Sequence, residues 1–269
     1  MKIRSCIMLI SACVAPIVGV APVYAQDRAS GPGMSALPIN LSGTASLLSQ
    51  YRFRGVSRSD GGIAVQGDLG ASLASGIYAG VMLASVRSGP AGDFGHAEMD
   101  IYAGFDHALG SGGMMLDLGL RGYLYADRSS ANLVELSAAL HQQLGPLDLR
   151  AGLAYAPPQS HLGRDFQSGS LRDNTYLFAE GRADIPSTPL HVHAHVGHTA
   201  GGLDYTAAYT DYRLGVGASH NRLGLDLSLV GTTISRNAAL AIAQGPTADP
   251  AAIWRAARSA GVATLSCQF

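Results

Sequence analysis

His191-x-His193-x-His195 is the stretch whose residue types could do the most definite chemistry. Imidazoles at alternate positions of a strand point the same way, and such a set can bind zinc or copper. No cysteine or acidic residue stands beside them at motif spacing. The same alternation therefore also reads as polar residues on the inner face of a strand, and no metal ligand is assigned. Nucleophilic catalysis has no starting point because no GxSxG elbow occurs, so no catalytic residue is expected. Gly110-Ser111-Gly112-Gly113 is not a phosphate loop: its lysine is missing, and Lys2 is the only lysine of the chain. No cofactor is expected. Without a basic run, zinc spacing or RNA-type aromatic motif, nucleic acid is excluded as a partner.

The charged residues carry a clearer signal. Asp68, Glu98, Asp100, Asp106, Asp117, Glu135, Asp148, Glu180, Asp184, Asp211 and Asp226 share faces with Arg52, Arg54, Arg121, Arg150, Arg182 and Arg213. Each alternates with apolar neighbours at period 2, the pattern of a strand with one wet and one apolar face. Placing these charges against lipid or in a dry core would cost several kcal/mol each, so they must meet water or each other.

The elements that position them are strands throughout. The segment 41–86 forms the first unit: a strand through Tyr51-Arg52-Phe53-Arg54-Gly55, a polar loop from Val56 to Gly62, a strand from Ile63, a Ser75-Gly76 turn, and a strand from Ile77. The alternation then continues near 95–109, 114–125, 134–141, 147–154, 175–185, 190–198, 211–218, 223–229 and 261–269. Tight turns are expected near Ser111, Gly145-Pro146, Ser187 and Asn221, since proline cannot sit inside a paired strand. The other connections are longer and polar, the largest being 157–173 and 237–259. Asp249-Pro250 opens a short helix in the last of these. Twelve strands in a meander, with alternating long and short connections, predict an all-β fold. It is a single antiparallel up-and-down transmembrane β-barrel, with both termini on the side of the short turns.

Lys2 and Arg4, the apolar run from Ile7 to Val20, and Val23-Tyr24-Ala25 have the layout of a secretory signal peptide, with cleavage between Ala25 and Gln26. Residues 1–25 are thus expected to be removed, 26–39 to form a flexible lead-in, and 40–269 the barrel. Without Lys2 and Arg4, the 18 basic residues fall to 16 arginines against 19 acids, a modest negative balance. The one cysteine left, Cys267, cannot form an internal disulfide. Charged residues make up 14% of the chain. No later apolar run is long enough for a helical span.

Tyr51-Arg52-Phe53-Arg54-Gly55-Val56-Ser57 resembles the TorF-type porin family of Gram-negative bacteria. The likeness extends through Gly76-Ile77-Tyr78-Ala79-Gly80-Val81, Glu98-Met99-Asp100-Ile101-Tyr102-Ala103-Gly104, Tyr123-Leu124-Tyr125 and Tyr209-Thr210-Asp211-Tyr212-Arg213-Leu214-Gly215-Val216, and closes at Phe269. Ile63 stands where the resemblance leads one to expect proline, Met82 where it leads one to expect tryptophan, and the last loop lacks an acidic, cysteine-containing character. The resemblance implies an outer-membrane location and a barrel. From this class Phe269 is carried over as an assembly signal read by the outer-membrane insertion machinery.

Twelve strands give a backbone diameter of about 24 Å and, after side chains, a lumen of about 14 Å. The expectation is a porin-like channel for small hydrophilic solutes or ions, embedded in outer-membrane lipid. Eleven inward acids against six inward arginines predict a weak cation preference. A non-conducting barrel with a structural or loop-binding role is the alternative, with a barrel enzyme behind it. Oligomeric state is left open.

Overall fold

The computed structural model describes residues 39–87, 94–165, 167–203, 208–242 and 250–269. The expected signal peptide, its expected cleavage site at Ala25 and Gln26, nearly all of the expected lead-in, and Asp249 lie outside the described residues.

The wall begins with β1 (Ile39–Leu48), after which the chain makes two very short strands, β2 (Arg52–Phe53) and β3 (Val56–Ser57). It continues with β4 (Ala64–Leu73), β5 (Ile77–Ser85), β6 (Ala97–Leu109), β7 (Met114–Tyr125) and β8 (Leu133–Leu144). Next come β9 (Leu147–Ala156), β10 (Asn174–Asp184), β11 (Leu190–Gly201), β12 (Tyr209–His220) and β13 (Leu223–Thr232). Two short helices, α1 (Arg236–Ile242) and α2 (Pro250–Ala257), precede β14 (Ala260–Gln268). Omitting β2 and β3, twelve strands close into one antiparallel barrel, each paired with its chain neighbour and β1 paired with β14. Closure leaves no edge strand, which is what a sheet in lipid requires.

Wall strands of 9 to 13 residues suffice to cross the hydrocarbon layer at a tilt. The alternation is visible in exposure. On β13, Leu223, Leu225, Leu227 and Leu229 are each about half exposed, while Gly224, Asp226 and Ser228 between them are buried. An apolar residue standing outward on every second position is the lipid face of a barrel. Among the described residues, no helix is long and apolar enough to cross a membrane.

The turn end of the barrel carries the short connections, such as Gly145-Pro146 between β8 and β9 and Asn221-Arg222 between β12 and β13, and the loop end carries the long ones. α2 covers Pro250–Ala257 as the sequence predicts, and its Ala256 and Ala257 pack with Val56, Tyr209 and Ile234 at the loop end.

One expectation is corrected. The first strand does not run through Tyr51–Gly55, and Val56–Gly62 is not an outward polar loop. β1 stops at Leu48, and Tyr51 to Ser59 folds back into the barrel as the β2–β3 hairpin, with every one of these residues buried. The reversal is made at Arg54 (φ 46°) and Gly55 (φ 78°), two successive left-handed residues, as in the tight turns that match the twist of paired strands. The hairpin's own period-2 pattern is indistinguishable from a continuation of β1. What separates them is that Phe53 and Val56 are taken up by the loop-end apolar clusters, which only the closed barrel assembles.

Candidate functional site

The lumen is built by the inner face of the wall together with the hairpin. At the loop end the hairpin is held from several sides. Arg54 Nη2 donates to Glu135 Oε1 on β8 at 2.6 Å, and Tyr123 Oη on β7 donates to the other oxygen of the same carboxylate at 3.0 Å. The Arg54 guanidinium also lies 4.0 Å from the ring centre of Tyr176 on β10, and Tyr209 Oη on β12 donates to the Arg54 carbonyl. Glu98 on β6 accepts from Tyr51 Oη and from Arg58 Nη1, both at 3.0 Å. Arg58 stacks over Phe53 at 3.9 Å, and Phe53 meets Tyr123 edge to face. Buried charges are tolerated only when paired and hydrogen-bonded, and here each carboxylate has two donors.

Arg52 behaves differently from the other guanidiniums. It donates to Gln50 Oε1 and to the Gly55 and Arg258 carbonyls, and so ties the hairpin to itself and to the segment after α2. Beyond the barrel strands, burial and the neighbouring Arg58 charge lower the pKa of His161, in the loop between β9 and β10.

Below the hairpin the inner wall carries a second set of contacts. Arg121 pairs with Asp100 at 2.8 Å. Arg150 stands between Asp117 at 3.5 Å and Glu180 at 3.4 Å. His195 lies between Glu180 and Asp211, at 3.2 and 3.3 Å. Tyr102 donates to Asp68 and Tyr78 to Asp117, both at 2.9 Å. Asp106 is level with Asp117 on the adjacent strand. Toward the turn end, Arg182 pairs with Asp184 and His141 with Asp148, each at 2.8 Å. Arg213 and Asp226 are buried on β12 and β13, and His193 meets Asp226 at 2.5 Å.

The structure thus sets the sequence-selected residues on the inner side of the wall, with Asp184 exposed at its turn end and with Arg52 and Arg54 reaching in from the hairpin rather than from a wall strand. It adds Arg58 to the inward arginines. Arg58 escapes the sequence reading because a loop has no fixed periodicity to orient it. It also shows tyrosine hydroxyls and imidazoles taking up carboxylates that a count of arginines alone leaves unpaired. The three histidines divide: His195 joins the Glu180–Asp211 group, whereas His191 and His193 sit beside Asp226 on β13. That acid is invisible to spacing because it is more than thirty residues away in sequence.

Comparison with solved structures shows a shared barrel fold. The NanC porin superposes with a TM-score of 0.55 at 10% identity, covering 86% of this chain and 99% of that one. An outer-membrane channel from Pseudomonas putida F1 gives 0.48 at 16% identity over 89% and 99% of the two chains. No curated protein matches the sequence. A family profile described as a bacterial protein of unknown function (Gcw_chp) matches residues 33–254, most of the chain, whereas the TorF-type likeness remains a resemblance. The chain therefore belongs to the Gcw_chp family of bacterial proteins.

Proposed function

We propose that this protein is a porin-like channel of the bacterial outer membrane, passing small hydrophilic solutes or ions, with the β2–β3 hairpin as its constriction. The observation that carries this reading is the contrast between the faces of one closed wall. The outer face is leucine-rich, and the inner face holds carboxylates, arginines, histidines and tyrosines. A barrel serving only as a scaffold has no need to place so many ionisable groups inside, where each must be paired at a desolvation cost. A path between an inward loop and a charged wall uses them, because such a lining replaces the hydration of a passing ion. Outer-membrane lipid and the insertion machinery are the partners this reading requires.

The weak cation preference stands in this reading on eleven inward carboxylates against seven arginines, Arg58 included. It is a modest preference, because salt screens charges beyond ~10 Å at 0.1 M.

A second reading, a non-conducting barrel, is favoured by one specific observation: the hairpin residues and most of the charged inner wall are buried. Planar-bilayer recording of the refolded protein separates the two. The channel reading expects small steps, with a reversal potential of cation sign in a salt gradient. It expects larger steps when Arg52–Ser59 is replaced by a short Gly-Ser linker. Absence of steps in both proteins would establish the closed barrel, and an anion-sign potential would refute the cation preference.

A further inference from the structure

We infer that the turn end of the lumen holds a binding site for a nitrogen-preferring divalent metal such as zinc, made by His191, His193 and Asp226. Their candidate ligand atoms all lie within 4.8 Å of one another, and all three residues are buried. The site is separate from the hairpin, which occupies the loop end, and it does not depend on the channel reading.

Three adjacent strands build it. His191 on β11 is level with Gly217 on β12, which is level with Asp226 on β13; one step along, His193, Gly215 and Ser228 make the same line. The two glycines are what allow the imidazoles to lie across β12. A Cβ at Gly215 would come within 2.5 Å of His193 Nε2 and Ser228 Oγ, and a Cβ at Gly217 would collide with the His191 ring. With any larger residue at these positions the rings could not reach over to β13. His193 Nε2 contacts Asp226 Oδ2, and Ser228 donates to the other oxygen of that carboxylate, so the acid is oriented from both sides.

His191 supplies the pointer to a ligand. It is 4% exposed, and its Nδ1 has no hydrogen-bond partner among the described residues. Its ring centre lies 5.9 Å from that of His193, the spacing of side chains on alternate strand positions. A buried imidazole with an unused nitrogen, facing a second imidazole and a carboxylate, lacks only the cation. Zinc holds nitrogen at about 2.0–2.1 Å and carboxylate oxygen at about 2.0–2.2 Å, which in a tetrahedral site puts ligand atoms about 3.3–3.5 Å apart. Ligand atoms up to 4.8 Å apart would draw in by about 1.4 Å, and the His193–Asp226 contact of 2.5 Å would open, to close on the ion.

The donor set and its surroundings select the class of metal. Two imidazoles and one carboxylate suit zinc and its transition-metal neighbours rather than calcium or magnesium, which take oxygen ligands. Arg213 is buried on the neighbouring β12, and Arg182 is level with His193 on the adjacent strand, its guanidinium drawn to Asp184 at 2.8 Å. The guanidiniums oppose any dication, and zinc offsets that repulsion through its bonds to imidazole nitrogen, which calcium and magnesium do not form well.

The test is titration of tag-free, refolded protein in detergent with zinc chloride by calorimetry, with heat-modifiable migration on gels as the check of folding. One equivalent of zinc should bind saturably, and magnesium should not. His191→Gln and Asp226→Asn should each weaken zinc binding by about tenfold or more. His195→Gln, which the structure puts with Glu180 and Asp211, should leave it unchanged. His191→Gln is the decisive variant because it breaks no existing hydrogen bond at Nδ1. Absence of one-equivalent binding, or wild-type affinity in folded His191→Gln, would reduce the cluster to a structural His193–Asp226 hydrogen bond and overturn the proposal. So would loss of binding in His195→Gln alone.

Discussion

Arg54 and Glu135, 81 residues apart, meet at 2.6 Å between the tip of the inward hairpin and the inner face of β8, with both side chains sealed from solvent. The pair links the least regular part of the barrel to its most regular. It also accounts for an arginine in the left-handed region, a conformation costing a non-glycine residue about 1–2 kcal/mol. The ion pair, the Tyr176 stack and the Tyr209 hydrogen bond offset that cost only while the hairpin stays docked.

Breaking this pair from the wall side should therefore release the hairpin while leaving the barrel closed. Glu135→Gln strands a buried guanidinium, and losing one partner of a buried pair costs about 3–5 kcal/mol. Single-channel recording should show larger and noisier steps than wild type, with heat-modifiable migration retained. In urea unfolding, the Arg54→Ala and Glu135→Ala cycle should give a coupling of about 1–3 kcal/mol. Additive effects would show that the contact does not hold the hairpin.

Gly55 tests the turn itself. Its φ of 78° disfavours any side chain, and a Cβ there would lie 2.6 Å from the Gly231 carbonyl oxygen and from Thr232 Cγ2 on β13. Backbone on one side leaves nothing to move aside cheaply. Gly55→Val should displace the tip and raise conductance as Glu135→Gln does, with proteolysis within 51–59 reporting the undocked hairpin. Wild-type conductance and protection would mean that the tip does not limit the path.

His161 makes the docked loops sensitive to pH. Burial, reinforced by Arg58, lowers its pKa in the folded protein, so the unfolded chain binds the proton more readily. Stability then rises with pH through this window, and it falls as pH drops below the ordinary imidazole value of about 6.5 until the folded group is also protonated. Urea midpoints at pH 7.5 and pH 5.5 should differ less in His161→Gln than in wild type. An equal difference in the two proteins would assign the pH effect to the carboxylates instead.

Phe269 should matter at the seam of the barrel. Its backbone exchanges two hydrogen bonds of 3.0 Å with Gly43, and its ring lies over Gly43 on the outer face, 64% exposed. An aromatic ring there suits the interfacial girdle of an outer-membrane barrel. Deleting Phe269 removes both the ring and one residue of the β1–β14 closure. The amount of heat-modifiable protein recovered from outer membranes should fall; unchanged insertion would show that neither is needed.

Leu223 to Leu229 and Met99 to Phe105 show what the chain settles by itself. Period-2 alternation depends only on neighbouring residues, so the number of wall strands, their faces and the positions of the tight turns are local properties. Closure follows, because a wall facing lipid cannot leave an edge unpaired. The fate of Tyr51–Ser59 is not local. Its alternation is the same whether it extends β1 outward or folds inward, and the choice is made by Glu98, Glu135, Tyr176 and Tyr209, which only the closed barrel gathers around it. Likewise His191-x-His193-x-His195 reads as one set of three, and only the pairing of β11, β12 and β13 divides it, because side chains choose partners across strands as well as along them. Asp226 becomes the neighbour of His191 and His193 through two glycines on a third strand, a relationship that sequence spacing cannot encode.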